Sequence, residues 1–243
     1  MEDVLYKINY ESFVQICEDV YWVGNHNSIP LHTNPYLLVI DDNAILFDPG
    51  GVNDFSVVTQ KILNIIDINQ IKYIVLHHED PDVCGMTHFL EEIIGSVDVV
   101  TNYYSEIFLR NYGIEARFIE INDEPTVSMF KKIGIEFIKT PFLHSPGAFM
   151  TYVEPHKILF SSDIFGWIGE KERDIFSQNV TKEDYIFWHN KIVPSIKLLK
   201  SLIGRLRKLD IRIIASQHGG IIEGREKIED LFNLLEGLDY LLN

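Results

Sequence analysis

Short apolar runs that end in turn residues dominate the first half of the chain. Such runs predict strands, here over residues 20–25, 36–41, 44–51 and 71–78. The Asp-Asp-Asn at 41–43 predicts a hairpin between the second and third strands. The last run is continuous and rich in β-branched residues, which is typical of a strand buried on both faces. Residues 57–66 have helical spacing.

The second half repeats this pattern. Further strands are predicted over residues 97–102, 116–121, 133–143, 148–155, 156–165 and 211–220. Helices are predicted over residues 103–112, 182–208 and 225–242. Two sets of strands, with helices between them and at the end, predict an α/β (α+β) fold of two stacked sheets with helices outside. No repeat or Pro/Gly-rich linker divides the chain, so we expect residues 1–243 to form a single domain.

Composition narrows the possible partners. Of the 243 residues, 46% are apolar, which is enough for a sizeable core. The net charge of -15 argues against nucleic acid and against anionic membrane surfaces as partners. No run approaches the roughly 18–20 apolar residues of a membrane helix, and the first residues lack a secretory pattern. With only Cys17 and Cys84, no disulfide framework is expected, and the cytoplasm is the predicted location.

The strongest chemical signal follows the predicted strand at 71–78. His78, Asp80 and Asp82 stand at alternate positions in a loop between this strand and a predicted helix. One imidazole and two carboxylates at this spacing could wrap a cation. The alternative is an acidic solvated loop that caps a helix, and the motif alone would favour that alternative.

Three further segments strengthen the metal interpretation. His144, Asp163 and His218 each stand at the end of an apolar run, beside small or turn-forming residues that allow close backbone approach. Each alone could be a core histidine or a capping aspartate. Four segments with ligand-type residues after strands predict a metal site.

These four segments resemble the metal loops of the metallo-β-lactamase superfamily over about residues 34–220. Residues 34–38 and 46–50 resemble its opening strands. Within the superfamily, PFLHSPGAFMTY at 141–152 and LFSSDIFG at 159–166 are most similar to flavodiiron proteins and to flavin-lacking oxygen-binding di-iron proteins related to them. The resemblance implies an αββα metallo-β-lactamase-like sandwich.

The resemblance also implies roles for the individual residues. The implied ligands of the first metal are His78, Asp80 and His144, with Asp163 bridging to a second metal that Asp82 and His218 also bind. Flavodiiron proteins have a further histidine where this chain has Val83, and valine cannot bind a metal. We expect the remaining supporting or pocket positions to be Asp48, His77, Glu79, Met150 and Tyr152. The roles of His26 and His32 stay open, and Trp188 and His189 are expected to pack.

The implied ligands are three imidazoles and three carboxylates. Zinc hydrolases of this superfamily are richer in nitrogen, and carboxylates favour oxygen-loving ions such as iron and manganese. Zinc has the higher general affinity but offers no redox chemistry. We therefore expect two Fe ions (Fe2+/Fe3+) with a bridging oxo, hydroxo or peroxo group.

An open position at Val83, and the absence of a flavodoxin domain after His218, favour an oxygen-binding protein over a turnover enzyme. As the resemblance implies, we expect an oxygen sensor whose partners are O2 and a signalling protein, for example a chemotaxis kinase. One alternative is an O2 or NO reductase that uses an external electron donor. Another is a hydrolase that uses a metal-bound hydroxide. The resemblance also suggests a homodimer.

Overall fold

Two β-sheets stack face to face in the computed structural model, which describes residues 9–27, 31–168, 175–176 and 180–238. The first sheet contains, in chain order across the sheet, β1 (Val14–Cys17), β2 (Val20–Trp22), β3 (Tyr36–Ile40), β4 (Asn43–Phe47), β5 (Ile71–Val75), β6 (Asp98–Thr101) and β7 (Arg117–Glu120). The second contains β8 (Ile135–Lys139), β9 (Phe149–Val153), β10 (Ile158–Phe160), β11 (Ile213–Ala215) and β12 (Ile222–Glu223), in the order β12-β11-β10-β9-β8.

Helices cover the outer faces of both sheets. The helices of the described residues are α1 (Phe55–Leu63), α2 (Pro81–Cys84), α3 (Thr87–Ile94), α4 (Tyr103–Leu109), α5 (Glu124–Lys132), α6 (Lys182–Ile192), α7 (Ile196–Leu206) and α8 (Arg225–Glu236). The buried residue of α5, Phe130, packs in the core between the sheets instead. Among the described ranges, none of these helices combines the length and apolarity needed to cross a membrane. The helix–sheet–sheet–helix layering confirms the predicted fold class.

Strand alternation divides the core into three layers. Between the sheets, Phe47 of β4 stacks on Phe160 of β10 with ring centroids 4.1 Å apart. Leu46 faces the other way and packs with Leu90 of α3. Leu159 of β10 likewise faces the helices that cover the second sheet. Burying a side chain of this size stabilises the folded state by about 1.5–3 kcal/mol. Because alternate residues of a strand face opposite layers, the stability of each layer depends on the period-two pattern of apolar residues.

The predicted strands and the hairpin at 41–43 are present, and the differences have local causes. The stretch 182–208 is two helices instead of one, because Pro194 lacks an amide hydrogen and forces Val193 into an extended conformation (φ -92°, ψ 112°). The patterns along the sequence do not predict β1, α5 and β12. The two strands have only four and two residues, and α5 is a mostly polar helix that buries only Phe130. The predicted helix at 225–242 ends at Glu236, and residues 239–242 lie outside the described ranges.

Parallel pairing brings the predicted metal segments to one edge of the sandwich. β4 pairs in parallel with β5 in the first sheet, and β10 pairs in parallel with β11 in the second. The carboxyl ends of parallel strands lie at the same edge, which is where ligands gather in such sheets. The loops that follow these strands carry Asp48, His78, Asp163 and His218.

His189 of α6 ties this edge to the outer helices. Its Nδ1 donates to the Tyr185 carbonyl at 2.7 Å, and its Nε2 accepts from the Phe165 amide at 3.0 Å. The ring is fully buried. Burial lowers the pKa of His189 to about 4, against the opposing effect of the hydrogen bond to Tyr185. The imidazole is therefore neutral, as the two hydrogen bonds require.

Acidification should destabilise the fold through His189. Between pH 6.5, where an unfolded histidine titrates, and about pH 4, the unfolded chain binds a proton that the folded chain does not. The free energy of unfolding should fall through this window by at most about 3 kcal/mol from this residue. Urea unfolding of metal-free protein between pH 4 and 7 measures the change. The His189→Gln variant lacks this titration and should show a shallower pH dependence, and equal slopes would contradict the assignment.

Candidate metal centre

Six side chains meet at the edge where the parallel strands end. His78, Asp80 and Asp82 lie in the loop and short helix after β5, and His144 lies between β8 and β9. Asp163 and His218 follow β10 and β11. Both sheets therefore contribute, and the six residues form two groups around Asp163.

The first group consists of His78, Asp80 and His144. His144 Nε2 lies 2.6 Å from Asp163 Oδ2 and 3.5 Å from Asp80 Oδ2. His78 Nε2 lies 3.6 Å from Asp80 Oδ2 and 3.8 Å from Asp163 Oδ2. The candidate ligand atoms of His78, His144 and Asp163 all lie within 4.8 Å of one another, which is close enough for one cation to contact them.

The second group consists of Asp82 and His218. His218 Nε2 lies 3.3 Å from Asp82 Oδ2 and 3.6 Å from Asp163 Oδ1. Asp163 thus presents Oδ2 to the first group and Oδ1 to the second. Its side chain is buried, and Oδ1 has no hydrogen-bond partner. A buried carboxylate oxygen without a donor is costly unless a cation satisfies it.

Hydrogen bonds behind the imidazoles fix which nitrogen faces the centre. His218 Nδ1 donates to the carbonyl of His32 at 2.8 Å. His78 Nδ1 lies 3.1 Å from Ser162 Oγ, and its Nε2 is buried without a partner. Both rings therefore point Nε2 at the carboxylates, the orientation that metal-binding histidines take when the other nitrogen is held. His32 thus contributes its main chain to the support of the site.

Charges in the centre are strongly coupled. Burial raises the pKa of Asp163, but the imidazoles of His78, His144 and His218 outweigh burial and hold it well below its usual range. Burial lowers the pKa of His78, but the carboxylates of Asp163 and Asp80 raise it to about 10. The pKa of His218 is raised in the same way, by Asp82 and Asp163. The raised pKa values of His78 and His218 favour protonated imidazoles beside the carboxylates, and a bound cation would replace those protons.

Asp48 and His77 support the start of the metal loop. Asp48 accepts from the His77 amide at 2.9 Å, and its other oxygen lies 2.5 Å from His77 Nδ1. His77 Nε2 lies 2.9 Å from Thr151 Oγ1. The imidazole stacks on Phe47 in the core between the sheets. Both nitrogens of His77 are engaged, so the residue directs the backbone into His78.

Glu79 connects the loop of His144 to α4. It accepts hydrogen bonds from Ser145 Oγ and from Ser105 Oγ, each at 2.8 Å. Ser145 follows His144 directly, so these bonds fix the position of that imidazole. Glu79 is thereby directed at two serine hydroxyls, and its supporting role stays a prediction.

Val83 and Cys84 shape the turn after Asp82. The Val83 carbonyl accepts from the Gly50 amide at 2.9 Å, and its buried side chain has no metal-binding atom. The Cys84 thiol donates to the Asp80 carbonyl at 3.1 Å. Burial, with Asp82 and Asp80 adding to it, raises the pKa of Cys84 well above its usual range, so the thiol stays protonated.

One expected pocket residue, Tyr152, lies away from the centre, whereas a pocket role for Met150 stays a prediction. Met150 and Tyr152 pack in the layer between the second sheet and the outer helices. The Tyr152 hydroxyl donates to the Asp210 carbonyl at 3.1 Å, and Asp210 precedes β11, at the opposite end of that strand from His218. Alternation along β9 explains this, because Thr151 faces the first sheet and its neighbours face away. The structure does not bring Tyr152 to the centre.

Two further residues, Trp188 and Asn34, contact the candidate centre or its loops although no sequence motif predicts these contacts. The Trp188 indole donates to the Asp163 carbonyl at 2.8 Å and meets the His218 ring edge-on at 5.3 Å. The Asn34 amide donates to the carbonyls of Ser216 and Gly219, at 3.1 and 3.0 Å, and so closes the loop that carries His218. Ser162 lies 3.1 Å from His78 Nδ1, and its place next to Asp163 in the sequence was the one signal that could have suggested it.

Comparison with known proteins places this geometry in a family. The family model described as "ODP family beta lactamase" matches residues 31–219. The flavo-diiron protein FprA2 of Clostridium acetobutylicum is 26% identical over 200 residues, covering 78% of this chain and 49% of that protein. The chain spans about half the length of the curated relatives that it matches.

Solved structures agree with the family match. A structure of the peroxy diiron species of chemotaxis sensor ODP has a TM-score of 0.74 and 26% identity, covering 93% of this chain and 95% of that chain. The apo state of chemotaxis sensor ODP from T. denticola gives the same TM-score and identity, covering 93% of each chain. With a family model matched over well over half of its length, this chain belongs to the ODP family of beta-lactamase-fold proteins.

Proposed function

We propose that this chain holds two iron ions and uses them to bind O2 as an oxygen sensor. The observation that carries the proposal is the carboxylate of Asp163, whose two oxygens reach two different groups of side chains. The first ion would be held by His78, Asp80, His144 and Asp163, and the second by Asp82, His218 and Asp163. A carboxylate that offers one oxygen to each of two groups of ligands could bridge two neighbouring cations.

The residues present fit iron. Asp163 Oδ1 and His78 Nε2 are buried without partners, and a cation would satisfy both. A site with three carboxylates beside three imidazoles favours harder ions such as iron. Zinc sites are usually richer in nitrogen and sulfur ligands. When bound, iron would supply the redox chemistry that O2 binding requires, which zinc does not have. The relative whose structure is described as a peroxy diiron species supports the same chemistry.

The two groups differ in how completely they surround an ion. The second group offers Asp82, His218 and one oxygen of Asp163, while Val83 adds no donor. Octahedral ions take about six ligands, so this side would keep open positions for a small molecule. Solvent reaches both groups, because the side chains of Asp80, Asp82 and His144 are 44%, 28% and 24% exposed. Those of Asp163, His78 and His218 are buried.

Reduction of O2 or NO is the second candidate, because the chain also resembles flavo-diiron proteins. The six side chains would serve either function, and a reductase would need electrons from an external donor. Signalling to a chemotaxis protein is supported by the relatives described as chemotaxis sensors.

Iron content tests the role of Asp163. Metal-free protein reconstituted anaerobically with Fe(II) should bind about two irons per chain. The Asp163→Asn variant should retain one iron or fewer, because the amide nitrogen is not a ligand for iron and the second oxygen is lost. Elemental analysis and Mössbauer spectra measure both. Asp98→Asn, which alters an ion pair with Arg117 away from the centre, is the control. Two irons in Asp163→Asn, or zinc without iron in protein from its own host, would contradict the proposal.

Exposure to oxygen tests binding. Reduced, iron-loaded protein should develop a visible absorption on exposure to air that persists for minutes or longer. Stopped-flow and conventional spectra would record its formation and decay. A colourless protein, or one that reaches a plain di-ferric spectrum within seconds, would count against oxygen binding of this kind.

Turnover separates the sensor from the reductase. In an assay driven by NADH through a rubredoxin or flavodoxin carrier, the sensor should consume O2 or NO at a negligible steady rate. The rate without protein sets the background. Sustained consumption that scales with the concentration of this chain would favour the reductase.

A further inference from the structure

The turn that carries Asp163 holds two residues in an unfavourable backbone conformation. Ser162 (φ 55°) and Phe165 (φ 70°) both lie in the left-handed region, which non-glycine residues rarely adopt. Residues in this region persist only where surrounding contacts impose the conformation, and they cluster at functional sites. Asp163 lies between the two, so the contacts that hold this turn also set the direction of its carboxylate.

Two neighbouring side chains of α6 hold this turn. The Trp188 indole donates to the Asp163 carbonyl at 2.8 Å, and the next residue, His189, accepts from the Phe165 amide at 3.0 Å. One side chain therefore bonds to a carbonyl of the turn and the other to an amide two residues later. Because both side chains are buried, loss of either would remove a hydrogen bond from a buried part of the turn.

The same tryptophan also contacts the loop of the second ligand group. The Trp188 ring meets the His218 ring edge-on, with centroids 5.3 Å apart. The two loops are joined directly as well, since the Gln217 amide donates to the Ser162 carbonyl at 2.8 Å. Trp188 therefore touches both Asp163 and His218 from one helix, at the place where the two loops meet.

We infer that Trp188 and His189 are positioning residues, which align the Asp163 carboxylate with the His218 imidazole. Neither side chain offers an atom to a cation. The indole nitrogen carries its hydrogen into the bond to Asp163, and both nitrogens of His189 are engaged. The effect of these two residues on metal binding rests on the proposed function, whereas their hold on the two loops does not depend on a metal.

The two ligand groups should depend on this alignment unequally. The second ion is offered three side chains, and Trp188 contacts two of these residues, His218 and Asp163. The first ion is offered four, of which Trp188 bonds to one, Asp163, among the described residues. Loss of Trp188 should therefore weaken binding of the second ion more than binding of the first.

Titration with Mn(II) tests the alignment with the metal alone. Mn(II) suits the same carboxylate-rich sites as iron, and its EPR spectrum distinguishes free ions, single bound ions and coupled pairs. Metal-free wild-type protein should bind two ions. Trp188→Phe keeps a ring beside His218 but loses the indole N–H. It should raise the Kd of the second ion at least about tenfold and that of the first less than about threefold, since residues that hold ligands affect metal affinity on this scale.

His189 offers a matched pair of variants. His189→Leu removes the acceptor of the Phe165 amide and should raise the Kd of the second ion, whereas His189→Gln keeps an acceptor oxygen and should restore the wild-type value. Ile203→Val is the control, because it shortens a fully buried side chain in the core layer that also contains Phe165. It should lower the melting temperature and leave both Kd values unchanged. Circular dichroism verifies that each variant is folded.

Hydrogen exchange of metal-free protein measures the hold on the two loops without a metal. Amides of residues 162–167 and 216–219 should exchange faster in Trp188→Phe and in His189→Leu than in Ile203→Val. If wild-type protein fails to bind two ions, the proposed function fails, and exchange alone decides the inference. Unchanged exchange in both loops would overturn it. So would wild-type Kd values in Trp188→Phe, or equal increases of the second Kd in His189→Leu and His189→Gln.

Discussion

The buried carboxylate of Asp163 is the constraint on which the candidate centre depends. Leaving such a charge in the protein interior costs several kcal/mol unless it is paired. The imidazoles of His78, His144 and His218 lie around it. The carboxylates in turn raise the pKa of His78 and of His218 against the opposing effect of burial. The fold therefore holds these candidate ligand atoms close together around Asp163.

Most of the surrounding contacts act on loops instead of on the ligand atoms. Asp48 holds the backbone that leads into His78, Glu79 holds the serine after His144, and Asn34 closes the loop of His218. Each of these residues anchors a loop to a strand or helix of the sandwich. Loops at the carboxyl ends of parallel strands would otherwise be the least constrained part of the domain. Because these loops are anchored, the imidazole nitrogens and carboxylate oxygens stay close together. His78 Nε2 lies 3.6 Å from Asp80 Oδ2, and His218 Nε2 lies 3.3 Å from Asp82 Oδ2.

The fold and the ligand loops could be predicted from local sequence patterns. Contacts between residues far apart in the chain could not be predicted in this way. The strands could be predicted because alternation and turn residues act over a few positions, and His78, Asp80 and Asp82 sit together in one loop. Tyr152 was placed wrongly because only strand pairing decides which face of β9 it occupies. Trp188 lies 25 residues from the carbonyl that it binds, and no spacing rule connects them.

The position of α4 gives the centre a route to the surface. A hydrogen bond to a charged group contributes about 1.5–3 kcal/mol, and Glu79 accepts such bonds from both Ser105 and Ser145. Allosteric coupling between two sites has a similar magnitude, about 1–3 kcal/mol. Coupling is reciprocal, so a change at α4 and a ligand at the candidate centre that favour the same arrangement of the Glu79 loop must favour each other equally. Two arrangements of this one contact would therefore be enough to couple helix α4 to the candidate centre.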